Sequence, residues 1–237
     1  MSRAGAASSF LGIGGGAIIV PLLMIALGLP FKEAVGTSLA AVVLISAVGV
    51  VSTLVVNASN VVWTVAAVLT FGALTGSWIG GRVLGSVPDR LLRLGFAGLL
   101  VLAGWRLVVA PAAGAHGALA LGLGPTPTHA VVFVIGLAAG ATSVLFGHGG
   151  GIVIVPTLLL AFPDAPFRAI AATSLVTVIP TSLLSLLPHA RLGTINRSLV
   201  MRLTPVGIVS AMAGAYAVNI VPALPCRIAF VVFLPSS

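Results

Sequence analysis

Two glycine clusters in apolar surroundings are the residues best placed to do chemistry in this chain. The first reads Phe10-Leu-Gly-Ile-Gly-Gly-Gly-Ala-Ile-Ile-Val-Pro21 and the second Leu145-Phe-Gly-His-Gly-Gly-Gly-Ile-Val-Ile-Val-Pro156. Each is followed by a Thr-Ser-Leu segment, Gly36-Thr-Ser-Leu39 and Ala172-Thr-Ser-Leu175. Glycine lets a helix stop and restart, and a restarted helix presents unpaired N–H groups and a partial positive charge. Such an end takes a small oxyanion without a charged side chain. The expected backbone donors are Gly14, Gly15 and Gly16 with Gly149, Gly150 and Gly151, and the expected hydroxyl donors are Thr37, Ser38, Thr173 and Ser174. The competing readings are local. Glycine also serves close helix packing, as expected for Gly76-x-x-x-Gly80 and Gly136-x-x-x-Gly140, and a helical hydroxyl often bonds back to its own helix. His148 stands where the first copy has Ile13. A histidine beside a helix break either contacts an anion, titrating near neutrality, or bonds a neighbouring carbonyl. His189, beside Arg191, reads as a loop residue. Pro21 and Pro156 are structural, expected to kink the arm that follows each break.

The other ionisable residues exclude more than they suggest. Glu33, Asp89 and Asp164 are the whole acidic set, and all lie between apolar runs. There is no paired carboxylate, Cys-His pair or metal-ligand cluster, so neither catalysis nor a metal or cofactor is expected. Rings of carboxylates, which a cation path would need, are absent too. Any proton coupling would have to use His148 or a titratable proton on the substrate. The Gly12-Ile-Gly-Gly-Gly run lacks the Lys-Ser/Thr of a P-loop and the acidic residue of a dinucleotide fold. Cys226 is the single cysteine, which excludes an internal disulfide.

The elements that position the glycines are apolar. Of 237 residues 59% are hydrophobic and 6% charged, against about a quarter charged in a soluble domain. The lipid bilayer is therefore the first expected partner. The net charge of +8 is spread over loops and forms no stripe, so nucleic acid is not a partner. Apolar runs at Ala34–Val56, Val61–Leu84, Leu91–Ala110, His129–Phe146, Ala169–Leu187 and Leu199–Val221 read as spans, with Leu224–Leu234 a shortened last one. Trp63, Trp78 and Trp105 lie near span ends as interfacial anchors. Gly12 matches Gly147 at an offset of 135, Thr37 matches Thr173 at 136, and Gly80 matches Gly214 at 134. The chain thus reads as one transmembrane domain over 1–237: repeat one 1–110, linker 111–128 and repeat two 129–237. No cleavable leader is evident, and both ends read as clipped relative to the repeat.

Charge argues for orientation. If each broken segment crosses the membrane once, the basic residues divide six against five. If it enters and returns, Arg3, Lys32, Arg82, Arg90, Arg93, Arg191, Arg197 and Arg202 share one side, leaving Arg106, Arg168 and Arg227. Eight against three is the bias of the positive-inside rule. The expected fold class is all-α and polytopic: two inverted pseudo-repeats, each a glycine-broken re-entrant hairpin plus three transmembrane helices, with a cytoplasmic N-terminus.

The duplicated Gly-x-Gly-Gly-Gly…Val-Pro motif, followed by Gly/Ala-Thr-Ser-Leu, resembles the TauE/SafE sulfite exporter family, also called the toluene-sulfonate uptake permeases. The likeness covers nearly the whole chain. It implies a cell-membrane transporter of sulfite, organosulfonates or related sulfur-containing anions. A small anionic substrate is then the second partner, and a homo-oligomer is admitted. The alternatives are a non-transporting membrane scaffold and a transporter of a different small anion.

Overall fold

The computed structural model describes residues 16–57, 61–109, 125–162, 165 and 167–220. These form eight helices and no strand: α1 Gly16–Leu27, α2 Phe31–Asn57, α3 Trp63–Val83, α4 Asp89–Val109, α5 Pro125–Phe146, α6 Gly151–Ala161, α7 Phe167–Arg191 and α8 Arg197–Ile220. Gly14 and Gly15, most of the linker and the last expected span lie outside the described residues. The all-helical class holds for the described chain. Among these residues four stretches are long and apolar enough to cross a membrane: Phe31–Val55, Trp63–Val83, His129–Phe146 and Ala169–Arg191. Apolar side chains such as Val55, Phe71, Val101 and Met201 point outward, as a lipid-facing surface requires. Trp63 and Trp78 are exposed at helix ends, and the Arg82 guanidinium lies 3.4 Å over the Trp78 ring.

Helix ends follow local chemistry. Gly28 (φ 64°) ends α1, with its N–H on the Met24 carbonyl at 3.1 Å; the left-handed conformation favours glycine there. Pro125 opens α5 four residues ahead of the expected span, which suits a proline in the first helical turn. The helix that contains the expected span Ala169–Leu187 runs on past Pro188. Helix α7 passes through both Pro180 and Pro188 and stops at Arg191. Gly193 (φ 68°) makes the turn, and the Thr194 N–H bonds back to the His189 carbonyl at 3.1 Å. His189 is therefore helical and buried, not a loop residue. Its Nε2 lies 2.9 Å from the Val144 carbonyl and its Nδ1 2.9 Å from Thr194 Oγ1.

The tightest seam joins α3 to α5. Cβ atoms placed on Gly72 and Gly76 would fall on the carbonyls of Phe133 and Leu137, and on Gly136 and Gly140 on those of Leu69 and Ala73. Backbone meets backbone, so the glycine spacing read as a packing device is one, and Gly72 extends it by a turn. Ser77 bridges the seam, donating to the Gly140 carbonyl at 3.1 Å. It also meets Ser185 of α7 at 3.1 Å, and Ser185 donates to Ser143 of α5 at 3.1 Å.

The matched helices α2 and α7 pack on each other and run in opposite senses. Near the start of α2, Glu33 accepts from Asn196 Nδ2 at 3.3 Å and Thr37 Oγ1 accepts the Asn196 N–H at 3.0 Å, just past the end of α7. Near the start of α7, Thr173 Oγ1 accepts the Val62 N–H at 3.1 Å, just past the end of α2. Asn196 and Val62 immediately precede α8 and α3. Each threonine thus satisfies one of the N–H groups that a helix start leaves open, in the opposite half. Thr37→Val and Thr173→Val are each expected to cost about 1 kcal/mol, the net worth of one hydrogen bond, and the two losses to add. Unfolding of the single and double variants in detergent checks both the size and the additivity.

Candidate functional site

The second glycine cluster is a helix break. Helix α5 ends at Phe146, with the Gly147 N–H on the Ser143 carbonyl at 2.8 Å, and α6 begins at Gly151. Between them Gly147, Gly149 and Gly150 take φ of 79°, 75° and 92°. These left-handed values exclude ordinary side chains. Helix α6 has 11 residues, about 16 Å at the helical rise, half of a hydrocarbon core. Gly150 is its N-cap and, as a glycine, brings no capping side chain of its own. Pro156 lies inside α6 and Pro21 inside α1, so each arm continues as helix through its proline.

Two matched helices clamp the turn. Ser38 of α2 donates to the Gly147 carbonyl at 3.0 Å. A Cβ on Gly147 would come within 3.0 Å of the Val35 Cα. A Cβ on Gly149 would lie 2.8 Å from Ser182 Oγ, 2.9 Å from Val178 Cγ1 and 3.0 Å from Val42 Cγ1. The turn therefore sits in the seam between α2 and α7, with residues 147–150 all buried.

His148 is fully buried in this turn. Its Nδ1 accepts the Gly150 N–H at 2.9 Å, rather than the ring bonding a carbonyl. With Nδ1 held as an acceptor, the neutral ring carries its proton on Nε2. That Nε2 has no partner. Two further buried side-chain atoms are unpartnered among the described residues, Ser46 Oγ on α2 and Ser182 Oγ on α7. These two serines were not singled out in the sequence. The signal existed: they match at an offset of 136, the offset of Thr37 and Thr173.

The structure brings together Ser38, His148, Gly149, Gly150 and Gly151. Ser174 is buried on α7 and Gly16 opens α1. The oxygens of Thr37 and Thr173 already receive backbone N–H groups of the opposite half. No group of three or more His, Cys, Asp or Glu forms a metal-holding cluster among the described residues. The arrangement can present hydrogen-bond donors, from backbone N–H, imidazole N–H and hydroxyl, to an acceptor in a water-poor seam.

Comparison with known proteins agrees with this architecture. A probable membrane transporter protein of Haemophilus influenzae is 40% identical over 57 residues, 24% of this chain and 21% of that protein. A probable membrane transporter protein of Xylella fastidiosa is 33% identical over 222 residues, 89% of this chain and 79% of that protein. The probable membrane transporter protein YdhB of Bacillus subtilis is 25% identical over 207 residues, 87% of this chain and 81% of that protein. No solved structure matches the chain significantly. The family model described as sulfite exporter TauE/SafE matches residues 1–107 and 132–236, on either side of the linker, and the chain belongs to that family of multi-pass membrane transporters.

Proposed function

We propose that this protein moves a small sulfur-containing oxyanion, such as sulfite or an organosulfonate, across the cell membrane. The anion is held at the Gly149–Gly151 helix start with His148 Nε2 as a side-chain donor. One observation carries this reading: a fully buried imidazole N–H without a partner stands beside a helix start whose N-cap is a glycine with no capping side chain of its own. A buried donor left unpaired costs about 1–3 kcal/mol, and an acceptor ligand at that place offsets the cost. A helix N-terminus favours negative charge. The family's description as sulfite exporters supports sulfur oxyanions as the class.

The antiparallel course of the matched helices α2 and α7 supports reading the halves as inverted repeats. So does the meeting of Glu33, at the start of α2, with Asn196, just past the end of α7. Inverted repeats that enclose broken helices are a common plan for alternating-access transport. The eight-to-three division of basic residues then gives a cytoplasmic N-terminus.

The test is thermal stability of the purified protein with sulfite, sulfoacetate, sulfate, phosphate or chloride. A ligand present at one hundred times its Kd stabilises by about 2.7 kcal/mol. Stabilisation by a sulfur oxyanion is expected, and its absence for every anion overturns the reading. His148→Asn should keep the fold, because Oδ1 can still receive the Gly150 N–H. It should lose most of the anion-dependent shift, because its amide does not reach the place of Nε2. His148→Phe leaves the Gly150 N–H without an acceptor and should lower stability by about 1–3 kcal/mol even without anion.

A further inference from the structure

We infer that Ser182, with Ser46 at the matching position of the first half, supplies the hydroxyl donors along the anion's path through the α2–α7 seam. The inference rests on the oxyanion site proposed above and adds residues to it.

Every other buried hydroxyl of the described residues is engaged. Thr177, Thr181 and Thr204 bond back to carbonyls of their own helices. Ser77, Ser143 and Ser185 bond one another across three helices. Thr37, Thr173 and Ser38 hold backbone groups of other elements, and Ser174 also has a partner. Ser46 and Ser182 stand apart as the hydroxyls left unpartnered, at 1% and 0% exposure. A mid-helix serine ordinarily has its own carbonyls to bond. Unpaired hydroxyls at equivalent places in both halves are poorly explained as packing, since alanine would fill either place without the cost of an unmet donor.

Their positions suit the task. Ser182 Oγ lies 2.8 Å from the Cβ position of Gly149, so it borders the turn that holds His148. Val42 and Val178 close the same spot with methyl groups, which strengthens any hydrogen bond made there by excluding water. Ser46 lies one turn beyond Val42 on α2. Gly49, three residues further, faces Leu175 of α7 at 3.3 Å from its Cβ position. Ser46 thus occupies the same seam as Ser182, about one helical turn (roughly 5–6 Å) further along it. An R–SO3⁻ head or a sulfite ion has three oxygens, enough for the three kinds of donor that border this turn: the α6 backbone N–H, His148 Nε2–H and the Ser182 hydroxyl. Ser46 is the next donor on the way.

The test separates binding from movement. Anion affinity is measured on the purified full chain with sulfite and methanesulfonate, and flux of the same anions in proteoliposomes. Ser182→Ala should weaken affinity by about tenfold, the scale of one hydrogen bond to an ion. Ser182→Cys keeps the volume with a weak donor and should show the same loss, which covers any folding defect of the alanine variant. Ser46→Ala should leave affinity within about twofold and reduce flux severalfold, as expected for a donor met after binding. Ser185→Ala is the control, expected to lower stability and leave affinity unchanged. If both Ser182 variants bind and transport like the wild type while His148→Asn does not, the serine inference is overturned and the turn site stands. If the wild type binds neither anion, the site reading beneath it falls.

Discussion

Gly149→Ala is expected to abolish anion flux while the protein still inserts in the membrane at normal abundance. Two independent costs meet at this residue. Its φ of 75° is left-handed, and forcing alanine into that region costs about 1–2 kcal/mol. The added methyl would stand 2.8–3.0 Å from Ser182 Oγ, Val178 Cγ1 and Val42 Cγ1. Overpacking of that kind costs a further 1–3 kcal/mol or so. The cheapest relief is for the turn to leave the seam, which moves the α6 N–H groups and His148 off their places. Gly28→Ala is the matched control. Gly28 has φ 64° with nothing within 4 Å of its Cβ position, so it carries the backbone cost alone and should transport normally. Gly150→Leu lies between them. Its φ is 92° and its nearest neighbour, the Ala139 carbonyl, is 3.4 Å from the Cβ position; flux should be lost through the backbone change at the N-cap. Flux and membrane abundance measured together decide the matter. Wild-type flux in Gly149→Ala would remove the turn from the transport site.

Gly140→Ala has the largest expected effect on stability. Its methyl would fall on the Ala73 carbonyl and lie 2.8 Å from the Ser77 N. No rotamer change relieves a collision with main chain, so α3 and α5 must separate. Separation also breaks the Ser77 bond to the Gly140 carbonyl and disturbs the hydroxyl cluster with Ser143 and Ser185. The net cost is set at about 3 kcal/mol, the upper end of ordinary overpacking. For a chain of this size that lowers Tm by roughly 6–12 °C. Gly98→Ala on α4, with nothing within 4 Å, should leave Tm within about 2 °C. Equal Tm values for the two variants would mean that the α3–α5 seam is looser than its geometry.

The sequence made the helices and the glycine break legible because both are local. A run of about twenty apolar residues is a helix wherever it packs, and three left-handed residues in four demand glycine. The end of helix α7 is not legible in this way, because a proline is a weak stop when the rest of the turn can still pair; Gly193, not Pro188, is the stop. The hydroxyls were harder. Thr37 and Thr173 recur beside the glycine motif, which points to the ligand, yet their partners Asn196 and Val62 lie 159 and 111 residues away. Ser46 and Ser182 carry no motif and become visible only when the two halves are laid on each other. His189 reads as a loop residue until Val144, 45 residues upstream, supplies the acceptor that buries it.

The division of contacts between the halves has a consequence for how the chain is made. The most extensive packing joins α3 to α5, α2 to α8, α2 to α7 and α3 to α7, each time a helix of the first half with one of the second. Helices α1, α2 and α4 share an apolar cluster of Val20, Leu23, Phe31, Leu39, Leu92 and Phe96, yet α2 and α3 find their most extensive partners among the described residues only in the second half. As the chain leaves the ribosome, the first half must wait in the bilayer with its glycine seam open and the Val62 N–H without the oxygen of Thr173. Assembly is therefore a late event, triggered by α5 and completed by α7 and α8. A chain arrested after α4 should be held by membrane chaperones or cleared by quality-control proteases. Halves supplied as two polypeptides should be stable only when made together.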